Sequence, residues 1–209
     1  MVAAWYGPPV YQRKDAVYRR AKGAGYRSRA AFKLLELAQR GRLLRSGDHV
    51  VDLGAWPGGW LQVAAQLVGP SGKVVGVDLQ PIESLPQANV VTVVGDIDSA
   101  STQASILRAC AGRVDVMLSD LAPKLSGIRS RDEARVQALA ETAMALAETL
   151  LRPGGILVVK LFMSPNLPQY VEALRASFAN VRTARVEATR RGSAEIYVVG
   201  KGYHGATKR

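Results

Sequence analysis

The sequence predicts an α/β protein: a mostly parallel sheet wound by helices on both faces, with an antiparallel last strand. Three observations predict it. Seven short apolar runs occur along the 209 residues, helix-length segments separate most of them, and the last two runs follow each other across a hairpin-length gap. Strands alternating with helices need crossover connections and therefore lie parallel. A short gap between two strands reverses the chain instead. The length suits one domain, 1–209.

The elements follow in order. Ser28 is placed to cap a helix from Arg29 to Arg40, on which Ala31, Leu34, Leu35 and Ala38 form an apolar stripe, and Gly41 stops it. The runs His49–Leu53, Lys73–Asp78, Asn89–Val94, Val114–Ser119 and Gly155–Leu161 read as strands, rich in Val, Ile and Leu. Trp60–Val68, Ser101–Ala111, Asp132–Leu151 and Pro165–Phe178 read as the helices between strands. Val181–Val186 and Ala194–Val199 are joined through Ala188–Gly192, the spacing of a hairpin.

Composition bounds the function. With 48% hydrophobic and 22% charged residues, the chain is too apolar for a disordered basic tail. A single cysteine, Cys110, excludes a disulfide scaffold, and with only His49 and His204 beside it no zinc site is expected. Cys110 reads as a packing residue, and neither histidine is assigned a role. No apolar run approaches the roughly 18 residues that a bilayer span needs, so no membrane association is expected.

Charge is the unusual quantity: 28 Lys+Arg against 17 Asp+Glu, a formal net of +11. It is unevenly placed. Residues 1–45 hold 11 basic and 2 acidic groups, residues 175–209 hold 8 and 2, and the middle holds 9 and 13. Trp5, Tyr6, Tyr11, Tyr18, Tyr26 and Phe32 lie among the first basic groups. Cations interleaved with aromatics suit RNA or single-stranded nucleic acid; the alternative is an extension kept soluble by charge. An Arg-rich start also resembles a mitochondrial presequence, but Gly7-Pro8-Pro9 and Gly23-Ala24-Gly25 interrupt any long amphipathic helix there. The segment is read as part of a cytoplasmic protein.

Ligands of open α/β sheets bind beyond the C-terminal strand ends. The first strand here runs into Asp52-Leu53-Gly54-Ala55-Trp56-Pro57-Gly58-Gly59-Trp60 and opens a helix. Asp78 ends the second strand, where a carboxylate accepts hydrogen bonds from ribose hydroxyls, so an adenosine-containing cofactor is expected. A dinucleotide loop needs bare backbone against pyrophosphate, and Trp56 takes the middle glycine's place. S-adenosylmethionine carries no phosphate and tolerates a bulkier loop. Gly95-Asp96 adds a polar group for the adenine edge.

The string DLGAWPGGW, followed by VDLQP, VVGD, LSDLAP and VVKLF, resembles the FtsJ/RrmJ family of RNA ribose 2′-O-methyltransferases. The resemblance extends to RSRAAFKL upstream and AEIYVVG downstream, from about Tyr11 to Tyr203. It implies a Rossmann-like S-adenosylmethionine-dependent methyltransferase fold with seven strands. It also implies a Lys-Asp-Lys-Glu tetrad, which falls on Lys33, Asp120, Lys160 and Glu195. Cofactor contacts fall on Gly58, Trp60, Asp78, Asp96 and Asp120, with no metal. Trp56 departs from the small residue usual in the family's loop. Residues 1–45 are then expected to form a basic RNA-binding extension packed on the domain, with the two basic termini meeting beside the active site. The protein is expected to act as a monomer.

A ribose hydroxyl is a weak acid, so methyl transfer needs in-line placement and removal of its proton. Lys160 is the candidate base and must present a neutral amine. Burial and a Lys33 ammonium favour that state, whereas Asp120 and Glu195 oppose it. Asp120 and Glu195 orient the lysine and the hydroxyl, and Lys33 can also hold the target phosphate. In the family's bacterial branch, which the compact chain fits, the acceptor is a uridine of large-subunit ribosomal RNA in the assembled particle. Transfer RNA, mitochondrial ribosomal RNA and messenger caps are the acceptors of relatives that share the tetrad. A nucleotide-dependent oxidoreductase and a non-catalytic ribosome-assembly factor are the alternatives of other classes.

Overall fold

The structure is a computed structural model that describes residues 16–121, 129–189 and 193–205. The elements run α1 (Ala16–Gly23), α2 (Ala30–Gly41), β1 (His49–Leu53), α3 (Gly59–Val68), β2 (Lys73–Asp78), β3 (Val90–Val94) and α4 (Ala100–Ala109). They continue β4 (Val114–Ser119), α5 (Arg129–Leu150), β5 (Leu151–Phe162), α6 (Leu167–Arg175), β6 (Phe178–Ala184) and β7 (Glu195–Tyr203). One seven-stranded sheet forms in the order β3-β2-β1-β4-β5-β7-β6. Strands β1 to β5 pair in parallel, and β7 inserts antiparallel between β5 and β6.

The apolar runs are continuous because both faces of the sheet are buried. Successive side chains alternate between the two faces. Val51, Val75, Met117 and Val159 face a core closed by α4, α5 and α6. Their neighbours Val50, Val74, Val116 and Val158 face a second core with Leu34 of α2 and Trp60, Leu61 and Ala64 of α3. A fully buried Leu or Val stabilises by about 1.5–3 kcal/mol, so the central strands anchor the molecule.

Several expectations need correction. Helix α1 was not foreseen: it spans eight residues, and three of them are cations. Ser28 does not cap α2; the N-cap is Arg29, with no side-chain cap, and the Ser28 hydroxyl packs against Gly59. The buried face of α2 holds Ala31, Lys33, Leu34, Leu37 and Ala38, so Leu37 and Lys33 take the place expected of Leu35. Strand β5 begins at Leu151, earlier than Gly155, because Pro153 and Gly154 hide a strand in sequence. Strand β6 begins at Phe178, whose ring packs 5.1 Å from that of Tyr203, and ends before Arg185 and Val186. The antiparallel pairing of β6 with β7 is as expected, although residues 190–192 of the connection lie outside the described residues.

The ends of β1, β2, β3, β4 and β5 and the start of β7 share one edge of the sheet. That edge is where the polar residues of an otherwise apolar core accumulate.

Candidate active site

Two ion pairs stand side by side at this edge. Lys160, near the end of β5, is 7% exposed; its Nζ lies 3.0 Å from Asp120 Oδ1 and donates to the Asp120 carbonyl at 2.7 Å. Lys33, on α2 and equally buried, donates to Glu195 Oε2 at 2.7 Å. Register puts the pairs together, since Lys160 lies opposite Tyr197 and Phe162 opposite Glu195. The Tyr197 hydroxyl donates to Asp120 Oδ1 at 3.0 Å, and the Lys33 ammonium sits 5.8 Å from the Tyr197 ring centroid. All four residues expected to form a tetrad are thus gathered at one place. Burying an ion pair contributes little net stability, because desolvation cancels most of the attraction. Two such pairs at the mouth of a cleft therefore point to chemistry rather than to packing.

Tyr197 was missed in sequence. The signal is the two-residue period of a strand, which places Tyr197 on the same face as Glu195. It is fully buried, and its ring packs 5.9 Å from that of Trp60. Burial and the adjacent Asp120 and Glu195 carboxylates raise its pKa well above the ordinary value, so it remains a hydrogen-bond donor to Asp120.

Beside the cluster a cleft of about 600 Å³ is lined by Gly54, Trp56, Asp78, Gly95, Asp96 and Asp120, among others. Asp78 Oδ2 accepts the Trp56 N–H at 3.0 Å, and its Oδ1 accepts the Gln80 N–H at 2.9 Å. Asp96 Oδ1 accepts the Asp98 N–H at 3.0 Å. Trp56 is 52% exposed and stands in the cleft lining without filling it. Gly54 holds φ +78, a conformation that favours glycine, and a Cβ there would meet Leu121 Cδ2 at 2.7 Å and push that side chain aside.

Gly58 and Trp60 do not line this cleft with their side chains. A Cβ on Gly58 would face Arg27 and Ile82. The Trp60 indole is 3% exposed, and its N–H donates to the Ala30 carbonyl at 2.7 Å, tying α3 to α2. From these positions only main-chain groups can serve a cofactor.

Asp52 is a second residue that sequence reading passed over. It is 1% exposed, and among the described residues neither carboxylate oxygen has a hydrogen-bond partner. Burial raises its pKa well above 3.8, helped by the negative charges of Asp120 and Asp78. Carboxylates that crowd one another at a cleft are relieved by a positively charged ligand. The residues present therefore fit a cofactor with ribose hydroxyls for Asp78 and a cationic centre near Asp120. Among the described residues no group of His, Cys, Asp and Glu could hold a metal ion.

The basic N-terminal segment joins the site through α2. The Arg20 guanidinium stacks 4.6 Å over the Phe32 ring, next to Lys33 in sequence. The Glu36 carboxylate accepts the N–H groups of Glu187 and Ala188, and Arg29 donates to the Ala188 carbonyl at 2.8 Å. Residues 16–45 and the β6–β7 region are in this way fastened together. Arg13, Lys14 and the early aromatics lie outside the described residues.

This sheet order, with its inserted antiparallel strand and acid-lined cleft, defines a Rossmann-like methyltransferase that takes S-adenosylmethionine. Comparison supports the class. Aeropyrum pernix fibrillarin, a structure with bound S-adenosyl-L-methionine, superposes with a TM-score of 0.55 at 17% identity, covering 82% of this chain and 73% of its own, a likeness of fold alone. A ribosomal RNA methyltransferase structure from Plasmodium falciparum gives a TM-score of 0.76 at 25% identity, covering 85% of this chain and 98% of that one. In sequence, the Ribosomal RNA large subunit methyltransferase E of Methanoculleus marisnigri is 47% identical over 192 residues, 92% of this chain and 93% of the relative. The model of FtsJ-like methyltransferases matches residues 26–203. The chain belongs to the FtsJ-like methyltransferase family.

Proposed function

We propose that the chain transfers a methyl group from S-adenosylmethionine to the ribose 2′-hydroxyl of a nucleotide in large-subunit ribosomal RNA. One observation carries the chemistry: Asp120 lines the cofactor cleft and also holds Lys160. The cofactor side and the proton-accepting side of the reaction therefore meet at a single carboxylate. The relatives' names supply the acceptor class, ribosomal RNA of the large subunit.

S-adenosylmethionine supplies an electrophilic methyl group on a positively charged sulfur. Asp78 and Asp96 hold the adenosine side, and main-chain groups of the β1–α3 loop are available to the methionine side. Asp120 orients Lys160, and Tyr197 in turn fixes Asp120. Lys160 would take the hydroxyl proton as the new O–C bond forms and the sulfur–methyl bond breaks, the sulfur leaving as a neutral thioether. Glu195 and Lys33 orient the ribose and its phosphate. Since the four groups converge within one chain, a monomer suffices as the working unit, acting in the cytoplasm on a ribosomal acceptor. Residues 1–45 serve as the RNA-binding extension of the single domain, and a uridine in the assembled subunit is the expected target.

Methyl transfer from labelled cofactor to large subunits, small subunits and tRNA, run in parallel with the modified nucleoside identified, tests this reading. Label in a 2′-O-methylated nucleotide of the large-subunit RNA is expected. Cofactor binding without transfer to any RNA would instead identify an assembly factor, and label confined to tRNA would reassign the acceptor.

A further inference from the structure

Away from the catalytic cluster, a groove of about 320 Å³ runs between the last turn of α2 and the edge strand β6. Leu37, Val186 and Val199 line it together with Arg182, Arg185 and Lys201. We propose that this groove is a second RNA-contact surface, taking the phosphodiester backbone of the acceptor beyond the target nucleotide. The inference rests on the RNA acceptor proposed above.

Charge argues for a polyanion. Arg42, Arg45, Arg182 and Arg185 are exposed, and Lys201 is half-buried among them. The Lys201 ammonium donates to the Gly41 carbonyl. Its pKa is lowered by burial first, and then by Arg182, Arg45 and Arg42, so these cations act on one another. Among the described residues no carboxylate forms an ion pair with Arg42, Arg182 or Arg185. The nearby acids are otherwise engaged: Glu36 and Glu187 pair with Arg40, and Asp48 accepts the Arg45 N–H. Clustered cations without counter-charges repel one another and are compensated by an external anion.

Position argues for the same acceptor that the active site uses. Ala184 at one end of the groove pairs with Tyr197 of the catalytic cluster, and Asn180 at the other pairs with Lys201. Four residues of strand separate these levels, about 13 Å. Helix α2 carries Lys33 eight residues before Gly41, about 12 Å along its axis. An RNA whose ribose lies between Lys33 and Lys160 reaches the groove within a few nucleotides. Arg42, left-handed at φ 49, turns the chain away just after α2 and leaves its own side chain exposed.

The test uses the full chain with Arg42→Gln, Arg182→Gln and Arg185→Gln combined, and a second variant with lysine at all three positions. The probe is deproteinised large-subunit ribosomal RNA, with binding measured across salt concentrations and methyl transfer measured across RNA concentrations. The glutamine variant is expected to bind about tenfold more weakly at low salt, with a salt slope shallower by about 2–3. KM for RNA should rise while kcat and cofactor affinity hold, and the lysine variant should recover most of the affinity. Wild-type affinity and slope in the glutamine variant, with the native chain binding and methylating RNA, would overturn the groove and leave the acceptor reading intact. A native chain that neither binds nor methylates either naked RNA or intact large subunits would overturn both. Weakened binding to intact subunits alone, with naked RNA unaffected, would also overturn the proposal, assigning the groove to an acidic protein.

Discussion

Lys160 and Asp52 pose opposite problems at the residue scale. Lys160 is buried with a carboxylate within 3.0 Å, whereas Asp52 is buried with no hydrogen-bond partner among the described residues. The first was legible in sequence because a lysine ending an apolar strand matched an ordered set of motifs. The second was not, because Asp52 reads as an ordinary strand-end acid until its surroundings are known. Its environment makes a prediction. The Asp52 carboxyl stays protonated in the folded chain at pH values where the unfolded chain, near 3.8, has ionised. The folded state then binds more protons, so stability falls as pH rises from the unfolded value toward the folded one. Asp52→Asn removes that dependence. Calorimetry without cofactor should show the variant's Tm gaining on the native chain as pH rises above the ordinary carboxylate value of about 4. A gap that stays constant or narrows would show that Asp52 ionises normally.

Elements were legible to the degree that one face of each is apolar. Strands β1, β2 and β4 were delimited to the residue, since Val-rich runs buried on both faces end sharply at Asp or Gly. Helix α1 was invisible because it is short and rich in cations. The buried stripe of α2 was partly misplaced because Lys33 sits on its inner face, where a helical-wheel argument expects no cation. The β1–α3 loop makes the element-scale prediction. Gly54→Ala would force an alanine to φ +78 and drive its Cβ against Leu121 at the cleft. Titration calorimetry should find cofactor affinity reduced at least tenfold, with a far smaller loss in Tm; unchanged affinity would remove this loop from the cofactor site.

Over the whole molecule, charge and fold divide the work. The net charge of +11 resides in the termini, while the acids gather at the strand ends that face the cofactor. The antiparallel β7 links the two regions: its start carries Glu195 and Tyr197, and its far half carries Lys201 beside the basic groove. That link was hidden in sequence, because strand order is set by long-range pairing. Neutralising Arg19 and Arg20 to Gln should lower the slope of RNA affinity against salt by about 2, with cofactor affinity unchanged. Parallel losses of RNA and cofactor binding would contradict this division.

The proposed mechanism turns on Lys160, held by Asp120, accepting the proton of a ribose hydroxyl. Single-turnover transfer of labelled methyl to large ribosomal subunits, comparing the native chain with Lys160→Ala at equal cofactor occupancy, tests it most directly. Alkali is then used to cleave the RNA, since a 2′-O-methyl group blocks hydrolysis of the adjacent phosphodiester. Label is expected at an alkali-resistant linkage, with a rate reduced by roughly 10²–10⁴ in the variant. Label at an alkali-labile position, or a folded Lys160→Ala protein that transfers at nearly the native rate, would contradict it.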